Sequence, residues 1–133
     1  MTPLQSDVIT ISIMRSSHDV YDFIYNPENL PKWASGLAAG IKNENGEWVA
    51  ESPFGLVKIK FVKRNDFGVL DHQVTLPDGL AVINPMRVIA NQDGCEVQFT
   101  LFRQTEMSDQ KFKEDREWIL KDLKTLKKLM EDR

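Results

Sequence analysis

At 133 residues the chain has room for one domain and one hydrophobic core, which sets the expected organisation as a single unit over residues 1–133. Its 41% hydrophobic and 28% charged residues are those of an ordinary globular protein, and a net charge of −3 argues against nucleic acid as a partner. One cysteine, Cys95, leaves no intramolecular disulfide, and no run of ~18 apolar residues exists to span a bilayer. Met1 to Ser17 holds no apolar run of the signal-peptide kind, so a cytoplasmic protein is the simplest expectation.

Asp7 to Met14 alternates apolar and polar residues and predicts a strand. Ser16 and Ser17 offer an N-cap, with Asp19 in the first turn of a short helix whose apolar face is Val20, Phe23 and Ile24. Asn26-Pro27 ends that helix, because the residue before a proline avoids the α region. Glu28 to Trp33 predicts a second helical turn, stopped near Pro31.

From Leu37 onward the punctuation is of hairpin type. Asn45-Gly46 is a strong two-residue turn signal. Ser52-Pro53-Phe54-Gly55, Asn65-Asp66, Pro77-Asp78-Gly79 and Asp93-Gly94 follow at fairly regular spacing. Strands are predicted between them at Glu47–Glu51, Leu56–Lys63, Phe67–Leu76, Leu80–Ala90 and Cys95–Arg103. Short turns imply antiparallel neighbours. Alternation puts Val57, Ile59 and Phe61 on one face, as it does Leu70, His72, Val74 and Leu76, and Val97, Phe99, Leu101 and Arg103. The stretch Asn84-Pro85-Met86-Arg87 is mixed on both faces, and Pro85 marks a bulge or an edge. Lys58, Lys60, Lys63 and Arg64 read as a solvated outer face.

Ser108 to Arg133 contains no Gly or Pro and predicts one long amphipathic helix. Phe112, Ile119, Leu123, Leu126 and Met130 fall within about 60° of one another at ~100° per residue. A stripe that long needs a broad apolar surface, which the strands supply as a curved sheet. Any pocket is expected under the helix's N-terminal half, where Asp115 and Arg116 flank the stripe and call for polar partners or water. The C-terminal half reads as plain core.

The order strand, helix pair, meander and long closing helix resembles the helix-grip fold of the SRPBCC (START/Bet v 1-like) superfamily. Val20-Tyr21-Asp22-Phe23-Ile24-Tyr25-Asn26-Pro27-Glu28-Asn29-Leu30-Pro31-Lys32-Trp33 resembles its N-terminal helix pair. Gly68-Val69-Leu70-Asp71-His72, Asn84-Pro85-Met86-Arg87 and Asp115-Arg116-Glu117-Trp118 resemble small bacterial members related to polyketide cyclase/dehydrase proteins. The resemblance covers almost the entire chain. It implies an α+β fold: a curved antiparallel sheet around a long C-terminal helix, with two short helices after the first strand. The Gly-rich loop of the pollen-allergen branch is absent, so that branch's ligands are not carried over.

His72 is the candidate for chemistry, a titratable group on an otherwise apolar face. Asp71 beside it points to the opposite face of a regular strand, so the two form no dyad. Trp33, Phe61, Met86 and Phe99 are candidate pocket walls, and Arg87, Asp115 and Arg116 candidate polar contacts. Arg87 and Arg103 have an alternative as structural ion pairs with Glu106 or Asp115. Two histidines, His18 and His72, and one cysteine have no metal-ligand spacing, so neither metal nor cofactor is expected.

Three readings stay open. The first is a binding protein for a hydrophobic small molecule: a lipid, polyketide or aromatic metabolite. The second is a polyketide cyclase- or dehydratase-like enzyme using His72. The third is an interaction module or homodimer contacting through Trp48, Trp118 or the outer sheet.

Overall fold

The computed structural model describes all residues, Met1–Arg133. The first strand, β1, runs Ser6–Ile13 and is followed by helix α1, Ser17–Tyr25. The Ser16 side chain accepts from Asp19 N at 3.2 Å and so caps α1. Asn26 then caps a 3₁₀ turn over Pro27–Asn29, accepting from Glu28 N at 3.1 Å. Helix α2, Leu30–Trp33, and a second 3₁₀ turn, Ser35–Leu37, complete the connection.

The strands that follow are β2 (Ile41–Glu44), β3 (Glu47–Ser52), β4 (Gly55–Phe61), β5 (His72–Thr75), β6 (Ala81–Asn84), β7 (Met86–Asn91) and β8 (Gly94–Phe102). Asn45 and Gly46 both have positive φ, the geometry a tight hairpin turn demands. Helix α3, Asp109–Glu131, closes the chain, capped by Ser108, whose side chain accepts from Lys111 N at 3.0 Å.

All pairings are antiparallel. Strands β1, β8 and β7 form one ladder, and β2 to β6 another in sequence order. Only Pro85 separates β6 from β7, so one bent strand passes between the ladders and makes them a single curved surface. Leu80–Ala90 is therefore not one straight strand. Pro85 has no N–H to give, and the chain changes partner there from β5 to β8. Its carbonyl still accepts from Thr100 N at 2.9 Å.

The expected strand Phe67–Leu76 is also shorter, with only His72–Thr75 regular. Asn65 causes this. Its Oδ1 accepts from Phe67 N (3.0 Å) and Val69 N (3.1 Å), and its Nδ2 donates to Val69 O (3.0 Å). These bonds offer the backbone a loop in place of a ladder. The loop then crosses β7, with Val88 N donating to Gly68 O and Leu70 N to Met86 O, at 2.9 and 2.8 Å.

The buried core joins inward residues of β1, β4, β7 and β8 to α1, α2 and α3. Helix α3 packs chiefly on β1, and also on α2 and β8. Leu123, Leu126 and Met130 are fully buried, each contributing about 2 kcal/mol by burial. Polar ties lock the same end: Lys127 Nζ donates to Ser12 O, and Met14 N to Glu131 Oε2, both at 2.8 Å. Towards the N-terminus, Phe112 is buried but Ile119 and Leu120 only partly so. Cys95 is buried at the end of β8, and burial pushes its thiol up to about 11. No helix is long and apolar enough to cross a membrane.

Candidate functional site

The inner face of the β4–β6 half of the sheet holds the candidate site. Register places Phe61, His72 and Asn84 side by side across three strands. The next row is Ile59, Val74 and Val82. Helix α3 favours the other half of the surface, so Phe61, Val74, Leu76 and Val82 stay half-buried although they point inward. The N-terminal half of α3, where Ile119 and Leu120 are only partly buried, is the looser half of that helix. Chain turns converge at this end of the sheet. The Ser52–Gly55 turn touches the Leu76–Leu80 turn, where a Cβ on Gly55 would lie 3.1 Å from Pro77 Cγ. Lys111 Nζ at the start of α3 sits 5.9 Å from the Phe54 ring centroid.

His72 stands at the inner edge of this face, 9% exposed. Its ring lies between Phe61, 4.9 Å away between centroids, and Phe99 at 6.1 Å. Tyr25 and Tyr21 continue the aromatic series outward at 5.9 and 5.8 Å, and the Arg64 guanidinium covers both tyrosines. Nδ1 lies 3.0 Å from Leu70 O. A carbonyl can only accept, which puts the proton on Nδ1 and leaves Nε2 a bare acceptor. Burial pushes the imidazole pKa below its usual value, only partly offset by the Leu70 carbonyl and the Asp71 charge. Burial thus favours the neutral ring over the imidazolium.

Above pH 6.5 the ring is neutral in both folded and unfolded chains. As pH falls below that value the unfolded chain takes up a proton that the folded one resists, so this contribution to stability is lost. His72→Phe should flatten the acid slope below pH 6.5, read from denaturation midpoints at a series of pH values.

Sequence-predicted site residues divide into two groups. Trp33, Phe61, His72, Met86 and Phe99 all belong to the inner core or its edge. Within that group Trp33, Met86 and Phe99 are buried and fill space, while Phe61 is half-buried against Tyr25 and His72. Trp33 Nε1 is the one fully enclosed side-chain nitrogen or oxygen without a partner. Arg87, Asp115 and Arg116 lie apart from them in ion pairs. Arg87 pairs with Asp71, which also accepts from Met86 N at 2.9 Å. Arg116 pairs with Asp7 on β1, and Asp115 accepts from Lys111 at 2.6 Å. The alternative partners expected for Arg87 and Arg103 are also different: Arg103 pairs with Asp109 at 2.6 Å and donates to Met107 O. Asp71 faces away from His72, as strand alternation requires. Trp48 is half-buried on the inner row beside Ile59, whereas Trp118 is 50% exposed.

Two residues escaped the sequence reading. Asn84 is one: half-buried, opposite His72, with no protein partner for its carboxamide. Asp122 is the other, buried on α3 about 70° from the stripe centre, an angle that a helical wheel already gives. It accepts from Ser35 Oγ at 2.7 Å and Ser35 N at 3.2 Å, which ties α3 to the turn after α2. Burial raises its carboxyl pKa, against the Ser35 hydrogen bonds. Asp122→Ala orphans both Ser35 donors and should cost about 1–3 kcal/mol in chemical denaturation. Asp122→Asn keeps an acceptor and should cost less than half of that.

Two clefts of about 400 and 430 Å³ open on the outer surface. One follows the solvated face of α3 along Glu117, Lys121, Lys124 and Lys128. The other lies between α1, residues 65–68 and β7, where Phe67 is 85% exposed. Neither includes the inner row. Four of the six residues lining the first are charged, and in the second Arg64 and His18 are already paired with Asp22.

No family model matches the chain, and no curated protein matches it. Solved structures do. XoxI from Bacillus cereus superposes with a TM-score of 0.75 at 16% identity over 96% of both chains. Ara h 8.0201 gives 0.69 at 10% identity, covering 98% of this chain and 99% of that one. DynU16, a protein of the dynemicin biosynthetic locus, gives 0.71 at 11% identity over 97% of this chain and 48% of its own. Identities this low carry the fold and nothing finer: the chain has the α+β helix-grip fold expected from its sequence, a curved antiparallel sheet with a long C-terminal helix, and shares it with these structures.

Proposed function

We propose that the protein binds a hydrophobic small molecule, of the lipid, polyketide or aromatic-metabolite kind, between the β4–β6 half of the sheet and the N-terminal half of α3. One observation carries this reading. Phe61, Val74, Leu76 and Val82 face inward yet stay half-buried, and the N-terminal half of α3 likewise leaves Ile119 and Leu120 of its apolar side incompletely covered. Apolar surface left wet on an inner face gains about 25 cal/mol per Å² when a ligand covers it. The recipe of an apolar concavity with few polar groups is that of a small-molecule site.

Binding is favoured over acid–base catalysis because His72 has aromatic rings on both sides and its one hydrogen bond is to a backbone carbonyl. A general base needs a second polar group poised on the same substrate, and Asp71, the nearest carboxylate in sequence, faces outward to Arg87.

Native mass spectrometry of the purified protein before and after solvent extraction tests the reading, followed by a broad hydrophobic library. The expected result is a bound mass that extraction removes and that library members restore. Silence across the library would overturn it.

A further inference from the structure

The row that crosses β4, β5 and β6 is apolar at Phe61 and polar at His72 and Asn84. The two polar side chains are directly opposite each other on neighbouring antiparallel strands, which sets their Cβ atoms about 5 Å apart on the same face. The protein uses neither for its own hydrogen bonding at this face. The only bond the His72 side chain makes is through Nδ1 to Leu70 O, which leaves Nε2 without a partner. Trp33 Nε1 is the sole fully enclosed orphan, so Nε2 retains contact with the space before it. The Asn84 carboxamide, half-buried, also has no protein partner.

Charge is missing from the same face. Arg87 and Asp71 neutralise each other on the outer side, and Arg103 is held by Asp109 and Met107 O. Arg116 is held by Asp7, Asp115 by Lys111, and Asp122 by Ser35. Arg64 lies outside the tyrosines, against Asp22. A carboxylate or phosphate brought to the His72–Asn84 pair would lose its hydration and meet no cation, at a cost of several kcal/mol.

We infer that the ligand is uncharged and carries a hydroxyl group, which donates to His72 Nε2 while an oxygen of the ligand accepts from Asn84 Nδ2. His72 supplies an acceptor, and its Nδ1 proton is already committed to Leu70 O, so the matching ligand group is a donor. Asn84 supplies a donor and an acceptor, and so fits either a hydroxyl or a carbonyl oxygen beside the first group. Phe61 and the Val74–Val82 row cover the rest of an apolar or aromatic skeleton. This rests on the binding site proposed above.

The test compares 2-naphthol, naphthalene and 2-naphthoate by tryptophan fluorescence titration of the whole protein, wild type and the variants His72→Phe and Asn84→Leu. Expected is 2-naphthol binding about tenfold tighter than either of the other two. Each substitution should weaken 2-naphthol about tenfold and leave naphthalene within twofold. Equal affinity for 2-naphthol and naphthalene, or tightest binding of 2-naphthoate, would overturn the inference while the binding site itself stands. No binding of any of the three would overturn both. In case a variant folds poorly, the ¹⁵N resonance of His72 Nε2 in the wild type gives an independent reading. It should move upfield on adding 2-naphthol and stay in place on adding naphthalene, and an unmoved resonance at saturation with 2-naphthol would overturn the inference.

Discussion

Gly68→Ala should destabilise the protein by at least about 3 kcal/mol, a large share of the roughly 5–15 kcal/mol that holds a domain folded. Two costs combine. Gly68 sits at φ 72°, where an L side chain costs about 1–2 kcal/mol. A Cβ there would also lie 2.1 Å from Val88 O, a backbone atom that cannot turn aside. Relief requires moving the loop off β7, which breaks the bond from Val88 N to Gly68 O. The same loop leads through Leu70 to His72, so its displacement also disturbs the row proposed to hold the ligand. Gly46→Ala is the control: φ is 87°, and nothing lies within 4 Å of the added Cβ. It should cost about 1–2 kcal/mol, the backbone share alone. Urea denaturation of both variants separates the clash from the conformational cost, and similar values for the two would remove the clash from the explanation.

Leu126→Ala should cost about 3–4 kcal/mol, read as a lower denaturation midpoint at unchanged slope. Leu126 is fully buried on α3, between Leu123 and Met130, beside the ties from Lys127 to Ser12 O and from Met14 N to Glu131. Removing its side chain leaves a cavity that the locked helix cannot close. Ile119→Ala, on the same stripe but only partly buried, should cost about 1 kcal/mol. A steep gradient along one helix marks where the core ends and the candidate site begins. Equal losses at both positions would mean that α3 is packed uniformly, with no looser half for a ligand to use.

Elements whose cause is local were readable from the chain. The α3 stripe, the Asn45-Gly46 turn and the alternation in β4 and β8 depend on periodicity or on two residues, and Val57, Ile59, Val97 and Phe99 are buried as their parity requires. Where the cause is a side chain bonding to a distant or irregular backbone, parity misleads. Phe67–Leu76 alternates well enough for a strand, but Asn65 satisfies the backbone of residues 67 and 69 from the side and holds them in a loop. Leu80–Ala90 reads through Pro85 because periodicity does not register a change of partner. Charges mislead in a similar way. Arg116 and Asp115 flank the apolar stripe as the wheel shows, but Asp7 is 109 positions away and was not visible as the partner of Arg116. Asn84 and Asp122 went unnoticed because their importance lies in who stands opposite, His72 and Ser35, and that is a matter of register and docking.

The most direct test of the binding site is a ¹H–¹⁵N correlation spectrum of the protein titrated with 2-naphthol. The expected result is a saturable set of shifts in Phe61, His72, Val74, Asn84 and the Met107–Ile119 stretch of the chain. Shifts confined to the outer clefts around Phe67 or Lys124, or no saturable shifts at all, would contradict it.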